Sequence, residues 1–221
     1  EVTIRKDLTI LEEMGALLRT HGGAKLAEDR ALLRTLRTRM MENPAEKKII
    51  SARARELVNE GDTVYLDSGS TCFYLAEEIR DMTLRVLTNS IDVMTVLADA
   101  PGVSLFSVGG SYRMEAGSFL GPIAEENVRR FQIETCFIGV TGISEDGAFS
   151  SQNVFESQLK RQVIEISQRK VVLADSSKLD TSAFSVFATA EDIDVLIIDS
   201  DPGFGNSVEK LEILVTEERQ S

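Results

Sequence analysis

From Gly61 onward, short apolar runs alternate with amphipathic segments. Thr63–Leu66, Leu84–Leu87, Ser104–Val108, Thr135–Gly139, Lys170–Ala174 and Val195–Ile198 are apolar runs short enough for strands and rich in β-branched residues. Segments 71–80, 90–99, 117–131, 153–168 and 189–193 carry helical periodicity between them. Such alternation predicts an α/β fold with a mostly parallel sheet covered on both faces. The stretch after Val108, around Tyr112, is expected to depart from the regular pattern.

The first sixty residues read differently. Ile4, Leu8, Leu11 and Met14 fall on one helical face, and Gly15 ends that helix. Ala16–Leu26 has short apolar flanks around Gly22-Gly23 and predicts a β-hairpin, with Arg19 and His21 on one arm and Lys25 on the other. An Arg-rich helical pattern follows and breaks at Asn43-Pro44, because the residue before a proline avoids the helical region. Glu28–Met41 is expected as a linker helix, and Pro44 as the first turn of a helix running to about Asn59. The division expected is 1–26, 27–50 and 51–221. Leu32, Leu33 and Leu36 on the linker offer an apolar stripe for packing between copies in a homo-oligomer.

Charge sharpens this division. The chain of 221 residues carries a net charge of −12, which argues against a nucleic-acid binder. Residues 1–55, however, hold 12 Lys and Arg against 8 Asp and Glu, a surplus of four, which leaves −16 on the remainder. A basic head on an acidic body suits a polyanion-binding end, although basic helices are more often solvated faces. No apolar run is long enough to cross a membrane. Cys72 and Cys136 lie in apolar stretches and are expected as buried free thiols of a cytoplasmic protein. With one histidine, no metal site is expected, and no cofactor. The opening at Glu1 rather than Met leaves targeting open.

The sharpest local chemistry is Asp67-Ser68-Gly69-Ser70-Thr71, after a predicted strand and opening a predicted helix. Gly69 permits a tight turn, Ser70 and Thr71 offer caps and hydroxyls, and exposed N–H groups at a helix start attract anions. An ordinary capped turn accounts for this loop equally well. Other strand ends share its texture: Thr88-Asn89-Ser90, Gly109-Gly110 with Arg113, Gly139–Gly142, and Asp175–Lys178. In a parallel sheet these ends gather on one edge, where open α/β folds bind ligands. Arg113 and Lys178 would give such a pocket its cations. Glu156 and Lys160 stand four apart on a predicted helix; a surface ion pair is the simpler reading, and two groups aimed into the pocket the sharper one. No phosphate-binding lysine loop, dinucleotide fingerprint or Ser-His-Asp set is present.

Over nearly its whole length the chain resembles the DeoR family of bacterial transcriptional regulators. The head, Val2–Leu8, Leu11-Glu12, Gly15 and Leu18–Ala24, resembles the recognition helix and wing of a winged helix-turn-helix. The body is similar to the family's sensor domain at Gly61-Asp62, Asp67–Thr71, Thr88–Ser90, Gly109-Gly110, Tyr112-Arg113, Gly121-Pro122, Gly142-Ile143, Glu156, Lys160 and Ala174–Lys178.

The resemblance implies a DNA-binding repressor controlled by a phosphorylated sugar or related metabolite, with a sensor fold related to sugar-phosphate isomerases. Thr3, Arg5 and Lys6 would meet operator DNA in the major groove, and Arg19 and His21 its backbone. Ser68–Thr71 and Lys178 would hold the phosphate, while Asp67, Asn89, Glu156 and Lys160 bond sugar hydroxyls. The helices that precede Val2 in the family are lacking here, so this stretch alone is expected to hold DNA poorly. An isomerase or deaminase is the alternative, weakened because Val140–Ser144 stands where those enzymes carry an acidic stretch. A ligand-binding module without DNA is a third possibility.

Overall fold

The computed structural model describes residues 17–20, 23–26, 36–203 and 210–216. The predicted hairpin is present: β1 (Leu17–Thr20) pairs antiparallel with β2 (Gly23–Leu26), with Thr20 opposite Gly23. The helix expected over residues 2–14 lies outside the described residues. Of the linker helix, Leu36–Met41 is described as α1, and the break falls where expected. Asn43 takes a left-handed conformation, φ 48° and ψ 50°, and Pro44 opens α2 (Pro44–Arg55). This helix stops short of the expected Asn59 and spans the expected boundary between residues 50 and 51.

Seven parallel strands form the main sheet: β3 (Thr63–Leu66), β4 (Leu84–Thr88), β5 (Val103–Ser107), β8 (Ile133–Gly139), β11 (Ser167–Leu173), β13 (Val195–Ile198) and β14 (Glu212–Val215). Their spatial order is β14-β13-β11-β8-β3-β4-β5. The inner strands β3, β8, β11 and β13 are buried over at least their last three residues because both faces are covered there. Val64, Leu66, Val86, Phe137, Val171 and Ile197 pack with α2, α3 (Ser70–Ile79) and α4 (Ile91–Leu97). Tyr65, Cys136, Ile138, Val172 and Leu196 point the other way, toward α5 (Pro122–Val128) and α6 (Val154–Ile166). This period of two is the pleat itself. Cys72 and Cys136 are buried free thiols, and burial raises both above their ordinary value, Cys136 to about 11.

Where the structure departs from the expected elements, the causes are local. The helix expected at 117–131 is divided. A hairpin of β6 (Ser111–Arg113) and β7 (Ser118–Leu120) precedes a shorter α5, because Gly117 and Gly121 take φ of 60° and 92° and Pro122 sets the helix start. The helix expected at 189–193 is a single 3-10 turn, Ala190–Asp192, closed reciprocally by Thr189 and Asp192. A small antiparallel sheet, β12 (Ser185–Thr189) beside β10 (Ala148–Ser151) beside β9 (Gly142–Ile143), lies outside the parallel layer. No loop separates α6 from β11, whose first residue follows Ile166 directly.

The order of the strands locates a site. From β3 the chain adds β4 and β5 on one side, then returns to place β8 on the other side of β3. The chain therefore leaves the carboxyl ends of β3 and β8 toward opposite faces of the sheet, to α3 on one and α6 on the other, and a crevice opens between them.

Phe137, fully buried between the sheet and the α2–α3 layer, should be the most sensitive apolar position. Phe137→Ala is expected to lower the free energy of unfolding by about 3–5 kcal/mol. Urea denaturation with an unchanged slope would check this; a loss under about 1 kcal/mol would show that the strand does not sit at the core's centre.

Candidate functional site

The crevice is a cleft of about 520 Å³, counting space open to solvent. Its floor is the loop after β3. Gly69, extended at φ −89° and ψ 151°, stands at the N-cap of α3, and no side chain caps the helix. The expected capping by Ser70 and Thr71 is thus not found; both belong to the first turn. Phe73 N donates to Gly69 O, while the N–H groups of Ser70, Thr71 and Cys72 have no intrahelical acceptor and, among the described residues, no side chain that substitutes for one. Gly69 and Gly139 let the two loops meet: a Cβ on either would stand 3.4 Å from the other's Cα.

Below this floor lies a buried ion pair. Asp67 is 2% exposed and Lys160 6%. Lys160 Nζ, reaching in from α6, is 3.1 Å from Asp67 Oδ2, donates to Gly139 O at 2.6 Å and to Ser151 Oγ at 3.0 Å. Gly139 N donates to the same Asp67 oxygen at 3.1 Å. The ammonium also stands 4.9 Å from the centre of the Phe187 ring. The surface pair expected between Glu156 and Lys160 is therefore replaced by a core pair between Lys160 and Asp67. Three polar partners already satisfy the ammonium, so it serves the scaffold of the cleft.

Glu156, one turn earlier on α6, lines the cleft itself. Burial pushes its carboxyl above the usual range, against the pull of Lys160, Arg39 and Arg113. Across the cleft, two residues past the end of β11, Asp175 accepts from Ser177 N at 3.2 Å and caps the 3-10 turn Ser176–Lys178. Asn43 Nδ2 donates to Asp175 Oδ1 at 2.8 Å, and Lys178 stands 3.8 Å from its other oxygen. Burial opposes the Asp175 charge, but these bonds, with the charge of Lys47, outweigh it and hold the carboxyl below its ordinary value.

The lining thus includes Asp67, Ser68, Gly69, Ser70, Thr71, Glu156, Lys160 and Lys178 among the residues expected from the sequence. Thr88, Asn89, Ser90, Gly109, Gly110 and Arg113 do not line it. The β6–β7 hairpin covers their end of the sheet: Ile91 N donates to Gly117 O, and Phe119 N to Asn89 O. Thr88 Oγ1 donates to Leu66 O at 2.6 Å and accepts from Ser90 N, while Ser90 caps α4 by accepting from Val93 N. At Gly110, φ is 107° and a Cβ would meet Leu120 O at 2.7 Å, so that glycine serves the hairpin's fit. Arg113 acts on the cleft only at a distance, through its charge on Glu156. Of the head residues, Arg19 lies in β1 opposite Ala24, while Thr3, Arg5, Lys6 and His21 lie outside the described residues.

Sequence reasoning missed Arg39 and Lys47, which enter the cleft from α1 and α2. One signal existed. Lys47 shares a helical stripe with Ile50, Ser51 and Ala54, all buried, and a lysine on a core stripe calls for a partner. Lys47 is 2% exposed and donates to the carbonyls of Arg39 and Glu42. Burial lowers its ammonium below the usual lysine value.

Removing one member of the core pair should be far worse than removing both. Lys160→Met leaves Asp67 buried without its counter-ion and should cost about 3–5 kcal/mol in chemical denaturation. Adding Asp67→Asn to that variant should recover part of the loss; a double variant as unstable as the sum of the singles would show that the two groups are not coupled.

Comparison with known proteins places this architecture. Residues 42–200 match the family model of the DeoR C-terminal sensor domain, and residues 1–30 that of the DeoR-like helix-turn-helix domain. The transcriptional repressor AccR of Agrobacterium fabrum is 36% identical over 200 residues, 90% of this chain and 78% of that protein. The HTH-type transcriptional repressor GlcR of Bacillus subtilis is 33% identical over 220 residues, 98% of this chain and 85% of its own length. Among solved structures, eIF2B delta from Chaetomium thermophilum shares the fold, with a TM-score of 0.54 at 13% identity, over 71% of this chain and 56% of that one. Ribose 5-phosphate isomerase A from Methanocaldococcus jannaschii aligns at a TM-score of 0.47 and 18% identity, over 62% of this chain and 55% of that one. Sequence relatives named as transcriptional regulators, together with matches to both family models, make this chain a regulator rather than an enzyme, and it belongs to the DeoR family of transcriptional regulators.

Proposed function

We propose that the cleft between β3 and β8 is the effector site of this regulator and that its effector is a phosphorylated sugar. The observation that carries the reading is convergence. The uncapped start of α3, the small residues Ser68–Thr71 and the ammonium of Lys178 face one cleft at the point where the sheet reverses its order of growth. Helix N-termini and lysines are the groups that hold phosphate oxygens. Glu156 and the loop Gly139–Thr141 also line the cleft and offer polar groups to the sugar hydroxyls. Asp67 and Lys160 hold the floor beneath them.

The rest of the reading follows the family. The division expected is a DNA-binding head over 1–26, a linker over 27–50 and a sensor over 51–221. Thr3, Arg5 and Lys6 meet operator bases or phosphates, and Arg19 and His21 the DNA backbone. The regulator works in the cytoplasm as a homo-oligomer that represses its target. Effector binding changes DNA affinity only so far as it favours one placement of the linker over another.

Calorimetry with ribose 5-phosphate, glucosamine 6-phosphate and the corresponding free sugars tests the reading. A phosphorylated sugar should bind and its free sugar should bind at least tenfold more weakly. Lys178→Ala should weaken binding of the phosphorylated form by roughly 10-fold or more, the loss of one charge-assisted hydrogen bond. Equal binding of sugar and sugar phosphate, or an unaffected Lys178→Ala variant, would overturn it.

A further inference from the structure

Arg39 stands apart from the other cations of the cleft. Lys160 is satisfied by Asp67, Gly139 and Ser151, and Lys178 stands by Asp175 and donates to Ser177. Lys47 donates to two main-chain carbonyls. The Nε of Arg39, by contrast, is buried and has no hydrogen-bond partner among the described residues. Its guanidinium acts electrostatically on Lys47, on Asp92 and on Glu156, so it stands among groups from three different helices. Asp67 is held by Lys160, and Asp175 takes its hydrogen bonds from Asn43 and Ser177 on Oδ1, while its Oδ2, 3.8 Å from Lys178, has no hydrogen-bond partner among the described residues.

A buried donor without an acceptor costs free energy, and a guanidinium beside a lysine costs more. An anion entering the cleft relieves both. The planar fork of an arginine fits phosphate oxygens two at a time, which a lysine cannot do.

The position of Arg39 in the chain gives this chemistry a consequence. It belongs to α1, the described part of the segment expected as the linker after the head in the chain. The last turn of α1 is tied to the sensor through main-chain carbonyls bonded by Lys47 and through the Asn43–Asp175 bond just beyond it. We propose that Arg39 is a ligand of the effector's phosphate, so that the linker helix supplies one wall of the effector site and is fixed in place when the effector binds. This rests on the phosphate reading of the cleft and adds to it the route by which occupancy reaches the head. The effector then stabilises the linker placement in which Arg39 reaches it, by as much as Arg39 contributes to binding.

The test uses the full chain with inorganic phosphate and ribose 5-phosphate as probes, and reads affinity by calorimetry and amide hydrogen exchange over residues 36–41. Wild type should bind both probes, and binding should slow exchange in 36–41. Arg39→Gln should weaken binding roughly 10- to 100-fold and abolish the slowing. Arg39→Lys, which keeps charge without the fork, should fall between and serves as the comparison if Arg39→Gln does not fold. Arg130→Gln, at an exposed ion pair with Glu126, should change neither readout. Affinity and protection unaltered in Arg39→Gln, while Lys178→Ala loses binding, would overturn the role of Arg39 and leave the phosphate site standing. Wild type that binds neither probe would overturn both.

Discussion

A buried ammonium–carboxylate pair sits where the sheet changes its direction of growth. Asp67 leaves the end of β3, Lys160 descends from α6, and both bond the main chain of Gly139 at the end of β8. Two charges taken out of water stay paired in a fold only where their remaining protons and lone pairs find partners. Ser151 from the small antiparallel sheet and the face of Phe187 complete that requirement. The pair thus binds together the first strand of the sensor, its central strand, one covering helix and the outlying sheet. The start of α3 cannot shift relative to the loop after β8 without breaking it.

The opposite wall of the cleft is built from different physics. Asn43, Lys47 and Asp175 are joined by hydrogen bonds to main chain and side chain across the junction of α1, α2 and β11. Each such bond is modest in net worth, because water competes for the same groups. The cleft accordingly has one wall set by a buried ion pair and one by buried hydrogen bonds around Lys47 and Asp175, and the second wall is the one continuous with the linker.

Much of the fold was legible because the signals are local. β3 and β13 appear at their expected bounds, since a short run of apolar and β-branched residues between polar turns favours a buried strand. The break at Asn43-Pro44 was equally plain, as proline constrains its own neighbours. The β6–β7 hairpin was hidden by Leu120, whose spacing from Ala124 and Val128 mimics a helical stripe; the two glycines at positive φ contradict it. The site was half legible. Residues on the loops after β3 and β11 converge as the parallel sheet requires, and those after β4 and β5 do not, because the hairpin is laid across them. Arg39 and Lys47 were missed because their place in the cleft depends on how α1 and α2 return to a sheet that begins twenty residues later.

The touching backbones of Gly69 and Gly139 bear on how such a sensor diversifies. A Cβ at either glycine would already touch the other's Cα, at 3.4 Å, so the deepest part of the cleft has little room for side-chain variation and offers much the same surface to every ligand. Discrimination between one sugar and another must then be written at the mouth, on residues such as Thr141 and Glu156 that carry side chains and border solvent. Descendants of this fold can change their metabolite by a few substitutions at that rim while inheriting the anion seat unchanged.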